Sequence, residues 1–166
     1  MQMQLLLDDW CQNAEEHASI NRKFLRSLDG RAGKAIDRTA RRLHKEAFGT
    51  IDCTRCANCC KTMVPCFTED EAAGVAAHLR MDVEAFVAAY LVRSGHDERL
   101  RPGRSPCPFL GADRCAIYEV RPASCIDFPH TNRARFASSA EYHGENAVYC
   151  PAVFYVIEQM RGRGVK

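Results

Sequence analysis

The sequence predicts a mainly α-helical protein, a small helical domain with irregular cysteine-rich loops organised around bound metal. Three observations predict this class: apolar residues recur at helical spacing, no stretch has the pattern of a parallel sheet, and ten cysteines fall mostly in two loop segments. The 166 residues suffice for one domain of ordinary size. We divide this domain into an N-terminal helical hairpin (1–49), a cysteine-cluster region (50–151) and a C-terminal helix with a basic tail (152–166).

Two helices are predicted ahead of the cysteine clusters, and together they would form the hairpin. The first covers residues 13–29 and places Ile20, Phe24 and Leu28 on one face. The second covers about residues 32–48. Its apolar stripe consists of Ile36, Ala40, Leu43 and Ala47.

Two adjacent helices follow the first cysteine segment, and both begin with a capping signal. Thr68 with Glu71 three residues later is a capping-box pattern, which predicts a helix over about residues 69–80. Asp82 is placed to cap the next helix. That second helix has a continuous apolar face formed by Val83, Phe86, Val87, Tyr90 and Leu91.

The remainder of the chain carries weaker patterns except near its end. Residues 93–106 form a polar stretch rich in turn residues, which we interpret as a linker, and residues 126–149 have little periodicity. Pro151 is suited to the first turn of a helix. It therefore predicts a final short helix whose inward-facing residues are Val153, Val156, Ile157 and Met160.

Charge and composition exclude several classes of protein. Lys and Arg number 23 against 21 Asp and Glu, so the net charge of +2 gives no global signature of polyanion binding. No apolar run approaches the roughly 18 residues that span a bilayer, and the first residues lack the features of a secretory signal. We therefore expect a soluble cytoplasmic protein. Thiols stay reduced there, so clustered cysteines indicate metal binding or redox chemistry rather than a disulfide scaffold.

The strongest motif is the run Cys53-x2-Cys56-x2-Cys59-Cys60. Two intervening residues let a tight turn direct two sulfur atoms at one ion, as in zinc and iron–sulfur sites, which take four thiolates. Consecutive side chains point to opposite faces of a strand and lie about 100° apart on a helix. We therefore do not expect Cys59 and Cys60 to bind the same mononuclear ion. The motif needs ligands from elsewhere, and it can contribute to two centres.

Further ligands are predicted in a second cysteine segment. It supplies three more sulfur atoms in the run Cys107-x7-Cys115-x9-Cys125. The eighth ligand is Cys150 or Cys66. Cys150 has the better physical case, because it precedes Pro151 at a helix N-terminus, where N–H groups and the helix dipole stabilise a thiolate. Cys66 is the weaker candidate, and Cys11 is interpreted as a small buried hydrophobic residue.

These cysteines resemble those of the YkgJ-type cysteine-cluster family, described as a zinc- or iron-chelating domain. The resemblance spans about residues 50–151. It rests on the first cysteine run and on Cys107-Pro-Phe-Leu110, Cys115-Ala-Ile-Tyr-Glu119, Arg121-Pro122, Cys125 and Phe128-Pro129. It implies metal-ligand roles for Cys53, Cys56, Cys59, Cys60, Cys107, Cys115 and Cys125, with Cys150 as a late member. Ile126 departs from the family, in which Arg commonly follows the cysteine, so a cation at that place is not expected here.

The sequence thus predicts a non-catalytic metal-binding module that serves metal handling, sensing or assembly. All-thiolate ligation suits Zn2+ and iron–sulfur clusters alike, and the clustered cysteines with remote Cys-Pro pairs favour the iron–sulfur cluster. Related cysteine clusters occur in flagellin lysine methylases, so a metal-cluster-dependent enzyme or protein-modification factor is an alternative. A thiol–disulfide redox protein is a weaker alternative, because the βαβ context of thioredoxin-like motifs is missing. No catalytic motif is found.

A basic stretch suggests a protein partner for the predicted helix 32–48. Nine basic residues stand against two acidic ones, and they are Arg22, Lys23, Arg26, Arg31, Lys34, Arg38, Arg41, Arg42 and Lys45. No aromatic side chains interleave with them, so we expect no nucleic acid, and no membrane contact. All six histidines, including His130 beside the second cysteine segment, are interpreted as exposed. Four cations are placed to offset the charge of a four-thiolate centre: Arg55, Lys61, Arg114 and Arg121.

Overall fold

The protein is mostly helical, as predicted, with one sheet of two short strands in the described part of the chain. The computed structural model describes residues 2–28, 33–93, 99–112 and 114–165. The helices are α1 (Met3–Asn13), α2 (Ala18–Leu28), α3 (Lys34–Phe48), α4 (Cys53–Cys56), α5 (Asn58–Thr62), α6 (Glu69–His78), α7 (Val83–Tyr90), α8 (Ala123–Ile126), α9 (Ala140–Tyr149) and α10 (Pro151–Gly162). Two 3₁₀ turns cover Tyr118–Val120 and Phe136–Ser139. Within the described residues, every helix is too short or too polar to cross a membrane.

Contacts between residues divide the chain into two compact units. Unit 1 comprises Met1–Cys56 and Pro129–Lys166, and unit 2 comprises Ala57–Phe128. These boundaries differ from the segments 1–49, 50–151 and 152–166 predicted from the sequence. The single-domain organisation stays a prediction, because compact units of one chain can belong to one domain.

Unit 1 is built around the last helix of the chain. Val153, Ile157 and Met160 of α10 are buried on the inward face that the sequence predicted. They share one apolar cluster with Leu25 and Leu28 of α2 and with the stripe Ile36, Ala40 and Leu43 of α3. The amphipathic pattern of α3 and α10 was therefore sufficient to identify the buried faces of both helices.

The N-terminal stretch has three helices where the sequence predicted two. α1 ends at Asn13, and α2 begins at Ala18 after a turn, so the predicted helix over residues 13–29 starts too early. The predicted face is also wrong at one position, because Ile20 is 48% exposed while Asn21 is 1% exposed. A buried polar side chain on α2 shifts the inward face away from the apolar pattern, which periodicity alone cannot detect.

Unit 2 contains the two capped helices predicted from the sequence. Thr68 accepts a hydrogen bond from the Glu71 backbone N–H at 3.2 Å, and the Glu71 carboxylate accepts from the Thr68 N–H at 2.8 Å. Asp82 caps α7 by accepting from two backbone N–H groups of its first turn. The core beneath both helices contains Phe67, Val75, Phe86, Leu100, Phe109 and Ile117.

Several elements of regular structure were not predicted, and they include the short helices α4, α5 and α8 in the cysteine loops, the two-stranded sheet and α9. Strand β2 (Leu100–Pro102) lies inside the predicted polar linker, whose residues 94–98 lie outside the described part, and it pairs antiparallel with β1 (Leu91–Arg93). Because α7 ends at Tyr90, the prediction of Leu91 on the helical face was wrong. Three-residue strands are too short to show a period. The helix α9 was missed because its buried face includes His143, Gly144 and Asn146, which give no apolar stripe.

Candidate metal centre

The first cysteine motif forms two very short helices. Cys53 and Cys56 are the first and last residues of α4, and Cys59 and Cys60 lie in α5. Asp52 starts α4, because its carboxylate accepts hydrogen bonds from the Thr54 backbone N–H at 2.9 Å and the Thr54 hydroxyl at 2.6 Å. The Thr54 side chain is the largest cause of the lowered pKa of Asp52. The Asp-x-Thr pattern is a capping signal that could have predicted the start of α4 from the sequence.

The second cysteine segment is fixed by backbone hydrogen bonds in unit 2. The Cys107 N–H donates to the Cys60 carbonyl at 2.9 Å, which joins the two segments directly. Cys115 returns beside Cys107 because Leu110 and Cys115 form an antiparallel bridge, closed by Gly111 N–H donating to the Arg114 carbonyl at 3.0 Å. Cys125 lies in the single turn α8. Short loops therefore hold three predicted ligands in place.

Four thiols of unit 2 form one electrostatic group: Cys60, Cys107, Cys115 and Cys125. Burial, with smaller contributions from the negative charges of Cys60 and Cys107, raises the pKa of Cys125 to about 12. Burial is also the main cause of the raised pKa values of Cys107 and Cys115, and charge on Cys60 adds to both. Without a cation these side chains stay protonated thiols at neutral pH. Metal binding would have to displace their protons.

Cys59 contacts its neighbour Cys60 through the side chains. Their hydrogen bond is the largest cause of the raised pKa of Cys60, followed by burial. The two consecutive thiols therefore lie together in α5, although helix geometry separates ideal neighbours by about 100°. That they do not share one mononuclear ion stays a prediction.

A second group of thiols lies in unit 1 and consists of Cys53, Cys56 and Cys150. Cys150 is the residue that precedes α10, as predicted. Its pKa is raised to about 12, mainly by burial; the backbone N–H groups of Val153 and Ala152 oppose this rise, and the charges of Cys53 and Cys56 make smaller contributions to it. The helix N-terminus does provide donors to this thiol. Burial has the larger effect, so the helix alone does not produce a thiolate.

The two other cysteines have different surroundings. Cys66 accepts a hydrogen bond from the Arg99 guanidinium at 3.3 Å, and its backbone carbonyl accepts from the Ser124 hydroxyl at 2.8 Å. Its sulfur therefore has a cation beside it, an arrangement that the sequence did not predict. Cys11 is exposed on α1, so its interpretation as a buried hydrophobic residue was wrong. All ten cysteines lie in the described part of the chain, and none of them forms a disulfide.

Two of the four predicted cations act on thiols of unit 2. Arg121 lowers the pKa of Cys115, and its guanidinium lies 3.8 Å from the centroid of the Tyr118 ring, which orients it. Lys61 lowers the pKa of Cys60. Arg55 acts on Asp52 instead. For Arg114 the structure shows the carbonyl contact to Gly111 described above.

The described histidines differ from the expectation that all six are exposed, and His96 lies outside the described residues. His143 is 1% exposed and stacks on Phe136 with ring centroids 4.2 Å apart. His44 bonds to the Thr131 hydroxyl at 2.8 Å, and His130 lies 5.4 Å from Tyr142 between ring centroids. The prediction of an exposed side chain was wrong for His143. Its burial follows from its place on the inward face of α9, a helix that the sequence did not reveal.

The donor set fits zinc or iron by its chemistry. Soft thiolate ligands select Zn2+ and iron–sulfur clusters, and the group in unit 2 has the four thiols that one such centre needs. Among the described residues, no three His, Cys, Asp or Glu side chains are as closely placed as the ligands of a bound ion. Binding would therefore require the grouped thiols to draw together.

The helical fold and the grouped thiols together place this protein in the class of cysteine-cluster proteins. The chain belongs to the CxxCxxCC family, whose description is "Putative zinc- or iron-chelating domain", and the family model matches residues 52–151. The predicted resemblance to YkgJ-type proteins is thereby confirmed. No curated protein and no solved structure matches the chain.

Proposed function

We propose that this protein binds zinc or iron through cysteine thiolates and acts as a non-catalytic module for metal handling, sensing or assembly. The observation that carries the proposal is the group of four thiols in unit 2, since four thiolates are the ligand number of a tetrahedral zinc site and of common iron–sulfur clusters. The proposed ligands are Cys53, Cys56, Cys59, Cys60, Cys107, Cys115, Cys125 and Cys150. Cys66 is not included because Arg99 already contacts its sulfur.

The chain's own contribution is to hold the thiols together and to offset their charge. Arg121 and Lys61 act electrostatically on Cys115 and Cys60, and backbone hydrogen bonds fix the loops around them. A bound zinc ion or iron–sulfur cluster would supply the positive charge that stabilises the thiolates. Because the ligands must lose protons, binding weakens at low pH.

Between the two metals, the proposal favours an iron–sulfur cluster. Thiolate ligands alone do not discriminate, because both centres accept four of them. The Cys-x2-Cys-x2-Cys run and the remote Cys-Pro pairs at Cys107 and Cys150 are more typical of iron–sulfur ligation. Either centre requires reduced thiols, which agrees with the cytoplasmic location that we propose.

We prefer a binding module to an enzyme because neither of two clefts found among the described residues has a cysteine in its lining. A shallow cleft in unit 2 is lined by Ala88, Ala89, Tyr90, Leu91, Val92, Gly103 and Arg104, and this lining contains no cysteine. Perturbed acids or bases beside an apolar pocket would be expected of an active site. No observation on the described residues specifically favours the methylase-related or the thiol–disulfide alternative.

A partner protein with an acidic surface is proposed for the exposed face of α3. Arg38, Arg41, Arg42 and Lys45 are exposed there, as the apolar stripe predicted. Glu46 and Asp37 neutralise part of this charge, with Arg42 to Glu46 at 3.0 Å and Arg41 to Asp37 at 3.8 Å. Arg31, which the sequence placed in the same basic stretch, lies outside the described residues.

Metal analysis of anaerobically purified protein tests the proposed function. We expect stoichiometric zinc or iron in the wild type, with brown colour, broad visible absorbance and acid-labile sulfide if the centre is an iron–sulfur cluster. A Cys107→Ser, Cys125→Ser double variant should lose the metal of unit 2. Cys11→Ser is the matched control, because that thiol is exposed on α1. Wild-type protein without stoichiometric metal, or an unchanged double variant, would contradict the proposal. A colourless zinc protein would reverse only the preference between metals.

A further inference from the structure

Unit 1 contains its own group of three thiols, which local structure brings near one another and which metal binding would draw closer. Cys53 and Cys56 are three residues apart in α4, a spacing that places both side chains on the same side of a helix. Cys56 and Cys150 pack against the same small apolar cluster, formed by Leu6, Ala47, Ile51 and Ala152. The short helix α4 and the start of α10 therefore lie close to each other in unit 1.

The start of α10 gives this group a favourable environment for negative charge. Cys150 precedes a helix of 12 residues, and the N–H groups of Ala152 and Val153 interact with its thiol. Partial positive charge at a helix N-terminus stabilises anions. A thiolate metal centre is anionic when three or four sulfur atoms bind one divalent cation. The three thiols can therefore bind a divalent cation, and the N-terminus of α10 stabilises the negative charge of the resulting centre.

One thiol of this group is more exposed than the four grouped thiols of unit 2, while the other two, Cys56 and Cys150, are partly buried like those four. Cys53 is exposed to solvent, whereas Cys60, Cys107, Cys115 and Cys125 are all partly buried. An exposed ligand gives an incoming chelator or an acceptor protein access to the metal. Three thiolates also leave one position of a tetrahedral ion for a ligand from outside the trio, the arrangement found in zinc sites that exchange ligands.

We propose that Cys53, Cys56 and Cys150 form a second thiolate metal site, separate from that of unit 2, and that this second site exchanges metal with the surroundings. The inference rests on the proposed function, and it adds the number of sites and the different role of each. The unit 2 site retains its metal, and the unit 1 site releases and accepts it.

Zinc titration of the metal-depleted full chain tests the number of sites. We expect two equivalents of Zn2+ per wild-type chain by isothermal calorimetry under anaerobic conditions. The Cys53→Ser, Cys150→Ser variant should bind one equivalent, and the Cys107→Ser, Cys125→Ser variant should bind the other. Cys11→Ser should bind two. A wild type that binds one equivalent, lost in both double variants, would show one shared site and overturn the inference.

Release of zinc to a chelator tests which site exchanges. We expect two phases for the loaded wild type, with the fast phase at least tenfold faster, and only the slow phase in the Cys53→Ser, Cys150→Ser variant. Loss of the slow phase in that variant would overturn the assignment. A Cys53→His variant keeps a zinc ligand, so it should restore the second equivalent, and failure to do so would contradict a ligand role for Cys53. A wild type that binds no zinc or iron would instead contradict the proposed function itself.

Discussion

Buried polar side chains in unit 1 stand out at the level of single residues. Asn21, His143 and Asn146 are each no more than 3% exposed. Both polar atoms of the Asn21 side chain, Nδ1 of His143 and Nδ2 of Asn146 have no hydrogen-bond partner among the described residues. Such groups lose free energy when they are taken out of water without compensation. Only His143 among them titrates, so its burial makes the stability of unit 1 depend on pH.

The first prediction concerns His143 and pH. Burial, with a smaller contribution from the charge of His130, lowers the pKa of His143 from 6.5 to about 4. The unfolded chain therefore binds a proton that the folded chain excludes, so stability is full above pH 6.5 and falls as pH decreases towards 4. The loss from this residue reaches about 3 kcal/mol, since each pKa unit corresponds to about 1.4 kcal/mol.

The His143→Phe variant isolates this contribution. Urea unfolding gives the free energy of unfolding of the variant and of the wild type at several pH values, and the titrations of all other groups cancel when the two values are subtracted. Between pH 7 and pH 4 we expect the wild type to lose about 3 kcal/mol of stability relative to the variant. A difference that is constant over this interval would contradict the assignment.

Individual helices show which signals in the sequence are informative. α6, α7 and α10 were predicted because each begins with a recognisable cap or proline and buries an apolar face. α9 and the strands β1 and β2 were not, because buried polar residues or short length conceal their period. For the cysteines, spacing identified the candidates, and the adjacency of Cys59 and Cys60 suggested two centres. The division into two groups depends on contacts between distant segments, which no local pattern contains.

The second prediction concerns Glu71, which links two elements of unit 2. One carboxylate oxygen caps α6 by accepting from the Thr68 N–H, and the other accepts from the Ala123 N–H at 2.7 Å, at the start of α8. Thr68→Ala should cost about 1 kcal/mol, the usual value of an N-cap. Glu71→Ala should cost about 2 kcal/mol, because two backbone donors lose their acceptor.

Chemical denaturation of both variants measures these costs, with Asp70→Ala as the control in the same turn. Because α8 carries Cys125, we expect Glu71→Ala also to release metal faster than Thr68→Ala. Equal stability and equal metal retention in the two variants would show that the link between α6 and α8 has no energetic role.

For the whole molecule, each unit combines an apolar core with a group of thiols. The core of unit 1 contains residues of α2, α3 and α10, and that of unit 2 contains residues of α6, α7 and β2. The cysteines other than Cys11 lie on helices of four or five residues and on loops, which bury little apolar surface. Binding free energy of a metal would therefore contribute directly to the folding of these segments.

The third prediction is that chelation destabilises the protein. Removal of metal should lower the midpoint of thermal unfolding by about 10 °C. Metal binding contributes a few kcal/mol of stability, and each kcal/mol shifts the midpoint by about 2–4 °C in a chain of this size. Circular dichroism at 222 nm, with and without chelator under anaerobic conditions, measures the shift. The Cys107→Ser, Cys125→Ser variant should show a smaller shift than Cys11→Ser. An identical shift in both would place the stabilising metal elsewhere.

The exposed sulfur of Cys11 has a practical consequence. It lies on α1, outside both thiol groups, so air oxidation can join two chains through it without any involvement of the metal ligands. A covalent dimer on a non-reducing gel would then be a by-product of handling, and replacing Cys11 by serine would remove it. The same position offers a place to attach a single fluorophore to the loaded protein.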